Sequence, residues 1–128
     1  MNRMKLLSKQ FGALLFLGLS MKLAVGQQAD AILGTWYAEE LEKSTIEMKV
    51  EDEKYFGMII NSADPDYVGK KVVFDLVYQS DETNYTGRIY AISRKMELDG
   101  TFTLEDDKLK VVGKKFFMTK TFFWTRIE

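Results

Sequence analysis
The sequence predicts an all-β protein, a single up-and-down antiparallel β-barrel of about eight strands, on three observations. From Gly34 onward the apolar residues recur with a period of two, the repeat of a strand that is wet on one face. Short polar turns separate most of these runs, as in a meander of hairpins. The first and last runs, "GTWY" (Gly34 to Tyr37) and "FFWTR" (Phe122 to Arg126), are both aromatic. A chain end carrying Phe122, Phe123 and Trp124 needs shelter, and sealing it against the first strand removes both free sheet edges at once.

A leader precedes the strands. Arg3, Lys5 and Lys9 make a positive start, Phe11 to Met21 an apolar run, and Ala24-Val25-Gly26 a small-x-small cleavage site. Residues 1–26 are therefore expected to be a signal peptide and residues 27–128 the barrel domain. A second small-x-small site, Ala29-Asp30-Ala31, permits a cut after Ala31 instead. Lys22 ends the apolar run well short of the roughly 20 residues a spanning helix needs, so no stable membrane anchor is expected after cleavage. The chain has no cysteine, hence neither disulfides nor a lipid-modified cysteine, which suits an exported protein of a bacterial envelope, periplasmic or extracellular.

The strands follow in order. Gly34–Glu39 is the first. Ser44–Glu51 is the clearest, with Ile46, Met48 and Val50 on one face and Thr45, Glu47, Lys49 and Glu51 on the other. Tyr55–Asn61, Lys71–Gln79, Asn84–Ile92, Met96–Glu105, Lys108–Gly113 and Met118–Ile127 complete the set. Only the connection Asn61–Gly69, "NSADPDYVG", is long, and it holds the single proline, Pro65. Tyr55-Phe-Gly-Met-Ile59 and Tyr85-Thr-Gly-Arg-Ile89 share a mid-strand glycine, expected where a strand bends around a small barrel. Phe56, Met58, Phe74, Leu76, Tyr78, Phe102 and Leu104 are the large residues expected to fill the interior, and a barrel of this size is near the point where its own side chains do so.

Composition excludes many functions. The absence of histidine and cysteine removes the usual proton shuttle at neutral pH, the thiol nucleophile and the soft metal ligands, so no enzyme activity, cofactor or metal is expected. All 19 acidic residues follow the leader, leaving 14 basic residues against them and a net charge of −5 beyond Gly26. An acidic exported domain has a poor profile for nucleic acid. Asp75 interrupts an apolar run and would be a buried acid if paired with Arg88, but its alternation with Val73 and Val77 places it on the outer face. Asp64 and Asp66 are a sparse set beside the six to eight oxygens that calcium takes.

Gly34-x-Trp36 on the first strand and Arg126 on the last resemble the signature of the calycin barrels, the lipocalin and fatty-acid-binding group. In those folds the arginine packs across the tryptophan at the closed end, so the resemblance implies a structural closure by Gly34, Trp36 and Arg126. Over most of the chain, "GTWY", "YFGMII", "TGRIY", "LKVVG" and "WTRI" also resemble the exported bacterial domain-of-unknown-function family 2147, with a lipocalin-like fold. That family's usual Asp-Pro and glycine turn is replaced here by Ala91-Ile92-Ser93-Arg94-Lys95. The resemblance implies export and a fold, and no biochemical activity.

Strand alternation sorts the turns into two ends. Glu51–Lys54, Asp81–Thr83 and Glu105–Lys108 gather eight acidic and two basic residues at one end. The other end carries Lys43, Lys70, Lys71, Arg94, Lys95, Lys114 and Lys115 against five acidic residues, beneath the long loop. A calycin-like plug closes the acidic end, so the basic end is the mouth. Lys120 shares a face with Phe122, Trp124 and Arg126, and six residues at ~3.3 Å each put it roughly 20 Å from the plug. Lys120, Phe122, Trp124 and Tyr78 are the candidate ligand-binding residues. The expected function is non-enzymatic binding of a small amphipathic anion or lipid within the barrel. The alternative is a filled barrel acting as an envelope structural or protein-interaction module.

Overall fold
The computed structural model describes residues 26–127. The barrel lies wholly within one compact unit that begins at Ile32. The leader expected over residues 1–26 lies outside the described residues except for Gly26.

Eight antiparallel strands close in sequence order: β1 (Gly34–Ala38), β2 (Ser44–Glu51), β3 (Lys54–Asn61), β4 (Lys71–Gln79), β5 (Asn84–Ala91), β6 (Met96–Glu105), β7 (Lys108–Lys115) and β8 (Met118–Arg126). The all-β up-and-down barrel read from the alternation is the fold. Closure rests on a short seam, because β1 has only five residues and meets β8 at Trp36–Arg126 and Tyr37–Thr125. Ile127 N–H, just past β8, donates to the Thr35 carbonyl at 2.9 Å and extends the seam by one bond.

The large core side chains gather toward the acidic end and mid-barrel, where Trp36, Ile46, Met48, Leu76, Tyr85, Phe102, Leu109 and Trp124 are buried, and the smaller Ala38, Ser44, Ile59 and Val72 are buried toward the other end on β1 to β4. Tyr85 packs between Tyr55 (ring centroids 5.6 Å) and Tyr78 (5.0 Å), and Phe102 meets Trp124 edge-on at 5.7 Å.

Three residues expected inside lie outside. Tyr55, Gly57 and Ile59 are the buried set of β3, and Phe56 and Met58 face outward. The run "YFGMII" is apolar on both faces, so its own period cannot set its phase; pairing does, by placing Gly57 opposite the inward Met48. A Cβ on Gly57 would stand 2.7 Å from the Met48 sulfur. In β4 a bulge between Phe74 and Val77 changes the phase midway, with Asp75 at φ 55°. Val73 and Leu76 are buried, and Phe74 and Asp75 turn to the outer surface. Gly87 lies against this bulge, where a Cβ would be 2.8 Å from the Asp75 carbonyl oxygen and from Leu76 Cα.

Candidate functional site
The acidic end is plugged. Ile32 is buried and its carbonyl accepts the Trp36 indole N–H at 2.9 Å. The Arg126 guanidinium lies 4.1 Å from the Trp36 ring centroid and donates to the Leu33 carbonyl at 3.0 Å. A planar cation thus covers the aromatic face and satisfies a backbone acceptor that would otherwise be left at the barrel's end.

At the other end the lumen is empty. A cavity of about 340 Å³ is lined by residues of three of the four connections at that end, including Leu41, Tyr67 and Ile92, and by Met118 at the start of β8. Its walls are Ile89, Leu98, Val111, Phe122 and Trp124, and its charged groups are Glu40, Glu42, Arg94 and Lys120. The mouth is therefore the end with the long loop. That loop is held in place: Ala63 N–H donates to the Glu42 carbonyl at 2.8 Å, Gly69 N–H to the Ile59 carbonyl at 2.8 Å, and Asp64 caps the 3-10 turn Pro65–Tyr67 by accepting from Asp66 N–H at 3.0 Å.

Glycines explain why side chains fill the acidic half and leave the mouth half open. Gly87 pairs with Gly100, and Gly100 with Gly113, so a band without side chains crosses β5, β6 and β7 on the inner face. A Cβ on Gly100 would lie 2.7 Å from Ile89 Cγ1, and one on Gly113 would lie 3.1 Å from Leu98 Cδ1. Ile89 and Leu98 lie flat across the glycines instead of projecting into the lumen. The signal was present in the sequence as three glycines at intervals of thirteen residues, one hairpin apart, and was not drawn from it.

Of the four candidate ligand-binding residues, Lys120, Phe122 and Trp124 line the cavity, side by side on the inner face of β8. Tyr78 does not: it sits near the acidic end, against Tyr85. Lys120 is exposed, its position across from Gly113 leaving it at the rim. A residue missed from sequence is Glu40, whose carboxylate accepts the Trp124 indole N–H at 2.5 Å. The turn after β1 supplies it because β1 stops at Ala38, and residues 39–43 then flank β8 where a longer strand would have continued. Arg88 pairs outside with Glu97 at 2.8 Å and Asp99 at 3.2 Å, and Asp75 is exposed. Near the rim, the Tyr37 hydroxyl donates to the Glu39 carboxylate, which with some desolvation and the carboxylate's charge holds the phenol above its usual pKa.

Among solved structures, the chain is similar to a Helicobacter pylori protein described as belonging to the lipocalin family, with a TM-score of 0.63 at 16% identity over 76% of this chain and 83% of that one. At that identity the likeness is one of fold, and it makes the barrel lipocalin-like. No protein-family model and no curated protein matches the sequence.

Proposed function
We propose that the barrel is a non-enzymatic binding protein for a small amphipathic anion, such as a short fatty acid or lipid fragment. The observation that carries this is the 340 Å³ cavity with aliphatic and aromatic walls and Lys120 and Arg94 at its rim. That volume is at the low end of the roughly 300–1,000 Å³ of ligand sites, which favours a compact or short-chain body. The apolar part rests on Ile89, Leu98, Val111 and Phe122, and the anionic end meets the two cations. Glu40, held by Trp124, and Glu42 give the mouth an acidic side, so an anion is drawn toward β6 and β8. An exported setting is part of the same proposal and rests on the leader read from residues 1–26 of the sequence.

Displacement of a fluorescent fatty-acid probe tests this reading. Lys120→Glu is expected to weaken binding about tenfold, more than Lys43→Glu, because an anion beside the cavity wall feels a less screened charge than one in open water. Asp106→Lys, at the plugged end, should leave binding unchanged. Equal losses from Lys120→Glu and Lys43→Glu would mean that only general surface charge is felt. No saturable displacement by any amphipathic anion would overturn the proposal in favour of a barrel that works through its outer surface.

A further inference from the structure
The β7–β8 hairpin breaks a local rule. Lys115 pairs with Met118, so Phe116 and Phe117 are the two residues of a tight turn. Such turns favour Asn-Gly or Gly because they demand positive φ, and Phe116 adopts φ 55°. Phe116 and Phe117 also bury nothing: their relative exposures are 85% and 103%. Two phenylalanines in water, the first of them in a backbone conformation that disfavours it, add little to the fold, and a broken local rule without structural gain marks a functional site.

The surroundings name the partner. Lys114, Lys115 and Lys120 flank the tip, and Arg94 and Lys95 stand on the adjoining β5–β6 turn, with Arg94 Nη1 3.8 Å from Met118 Sδ. The Lys115 ammonium lies 5.8 Å from the Phe116 ring. Residues 92–96 and 112–121 contain no acidic side chain. Aromatic side chains projecting from the cationic side of the rim, across the mouth from Glu40 and Glu42, match an anionic lipid surface, whose headgroups meet the lysines while the rings enter the acyl boundary.

We propose that the β5–β6 and β7–β8 turns dock the mouth of the barrel reversibly on an anionic bilayer, with Phe116 and Phe117 inserted. This docking does not depend on what occupies the cavity. It does face the cavity's opening toward the lipid.

The test uses the full chain carrying Phe117→Trp, with the parent's signal from the buried Trp36 and Trp124 subtracted. Vesicles of phosphatidylglycerol and phosphatidylcholine, some with brominated acyl chains, should shift the added indole's emission to the blue and quench it. Pure phosphatidylcholine should do so at least tenfold more weakly. Each cation near such a surface is worth roughly a fivefold change in affinity, so adding Lys95→Glu and Lys115→Glu should raise the half-maximal lipid concentration more than tenfold. Because the reporter is at the tip, attachment through any other part of the chain leaves its emission in water. No shift on anionic vesicles overturns the proposal, as does equal response to the two vesicle types. A blue shift that grows with protein concentration in the absence of lipid also overturns it, and assigns the tip to a second copy of the chain.

Discussion
Arg126 does two jobs at once, stacking over Trp36 at 4.1 Å and donating to the Leu33 carbonyl at 3.0 Å. Either contact alone is modest: a cation–π pair is worth about 0.5–2 kcal/mol and a hydrogen bond from a charged group about 1.5–3 kcal/mol. Arg126→Ala removes both and opens the plug, so urea unfolding should show a loss of about 2–4 kcal/mol with an unchanged slope. Arg126→Lys should recover less than half, since an ammonium cannot cover the ring and reach the carbonyl with one planar group. A loss below about 0.5 kcal/mol for Arg126→Ala would show that the plug does not hold the barrel shut. The need for a plug was legible in Gly34-x-Trp36 and Arg126. Glu40 was not, because an acid in a polar turn looks like any solvated acid until tertiary structure brings Trp124 beside it.

At the scale of the strand, β4 and β5 act as a pair. The bulge at Phe74–Val77 turns Asp75 into the left-handed region, and Gly87 makes room for the displaced backbone. A methyl at residue 87 would press on main-chain atoms, which cannot rotate away as a side chain would. Gly87→Ala is therefore expected to cost about 2 kcal/mol or more, while Asp75→Gly, which relieves a positive φ, should be neutral or stabilise by up to about 1 kcal/mol. A Gly87→Ala protein as stable as the parent would mean that the strands separate easily and that the bulge is not a fixed feature. Sequence alternation places Asp75 correctly on the outer face but gets Phe74 wrong, since one added residue reverses the phase and leaves no mark in an apolar run such as "VVF".

For the whole molecule, closure is the vulnerable step. Of the eight strand pairings that close the barrel, the one with the fewest paired residues joins β1 to β8 through Trp36–Arg126 and Tyr37–Thr125. Deleting residues 122–128 removes the buried Trp124, the half-buried Phe122 and both seam pairs, and exposes β1 and β7 as free edges. Thermal unfolding of the truncated chain should lose its cooperative transition, and its near-ultraviolet dichroism should flatten. A cooperative melt near the parent's midpoint would refute the view that the seam holds the barrel. The molecule is also divided along its axis: the acidic end is solid with Trp36, Phe102 and the tyrosines, and the mouth end is hollow.

Strand number, order and approximate limits were determined by the sequence alone, because a period of two interrupted by short polar turns admits few arrangements other than a meander. Closure followed from aromatic residues at both ends of that meander, which have nowhere else to be buried. The division of charge between the two ends followed from counting strands. Tertiary structure alone decided which faces of β3 and β4 point inward, because each is apolar on both sides and takes its phase from its neighbours. It also decided that a cavity exists. An empty volume is the difference between the barrel's width and the summed reach of side chains from several strands, and it depends on Ile89 and Leu98 lying down across Gly100 and Gly113, a choice of direction that becomes fixed only when the strands stand side by side.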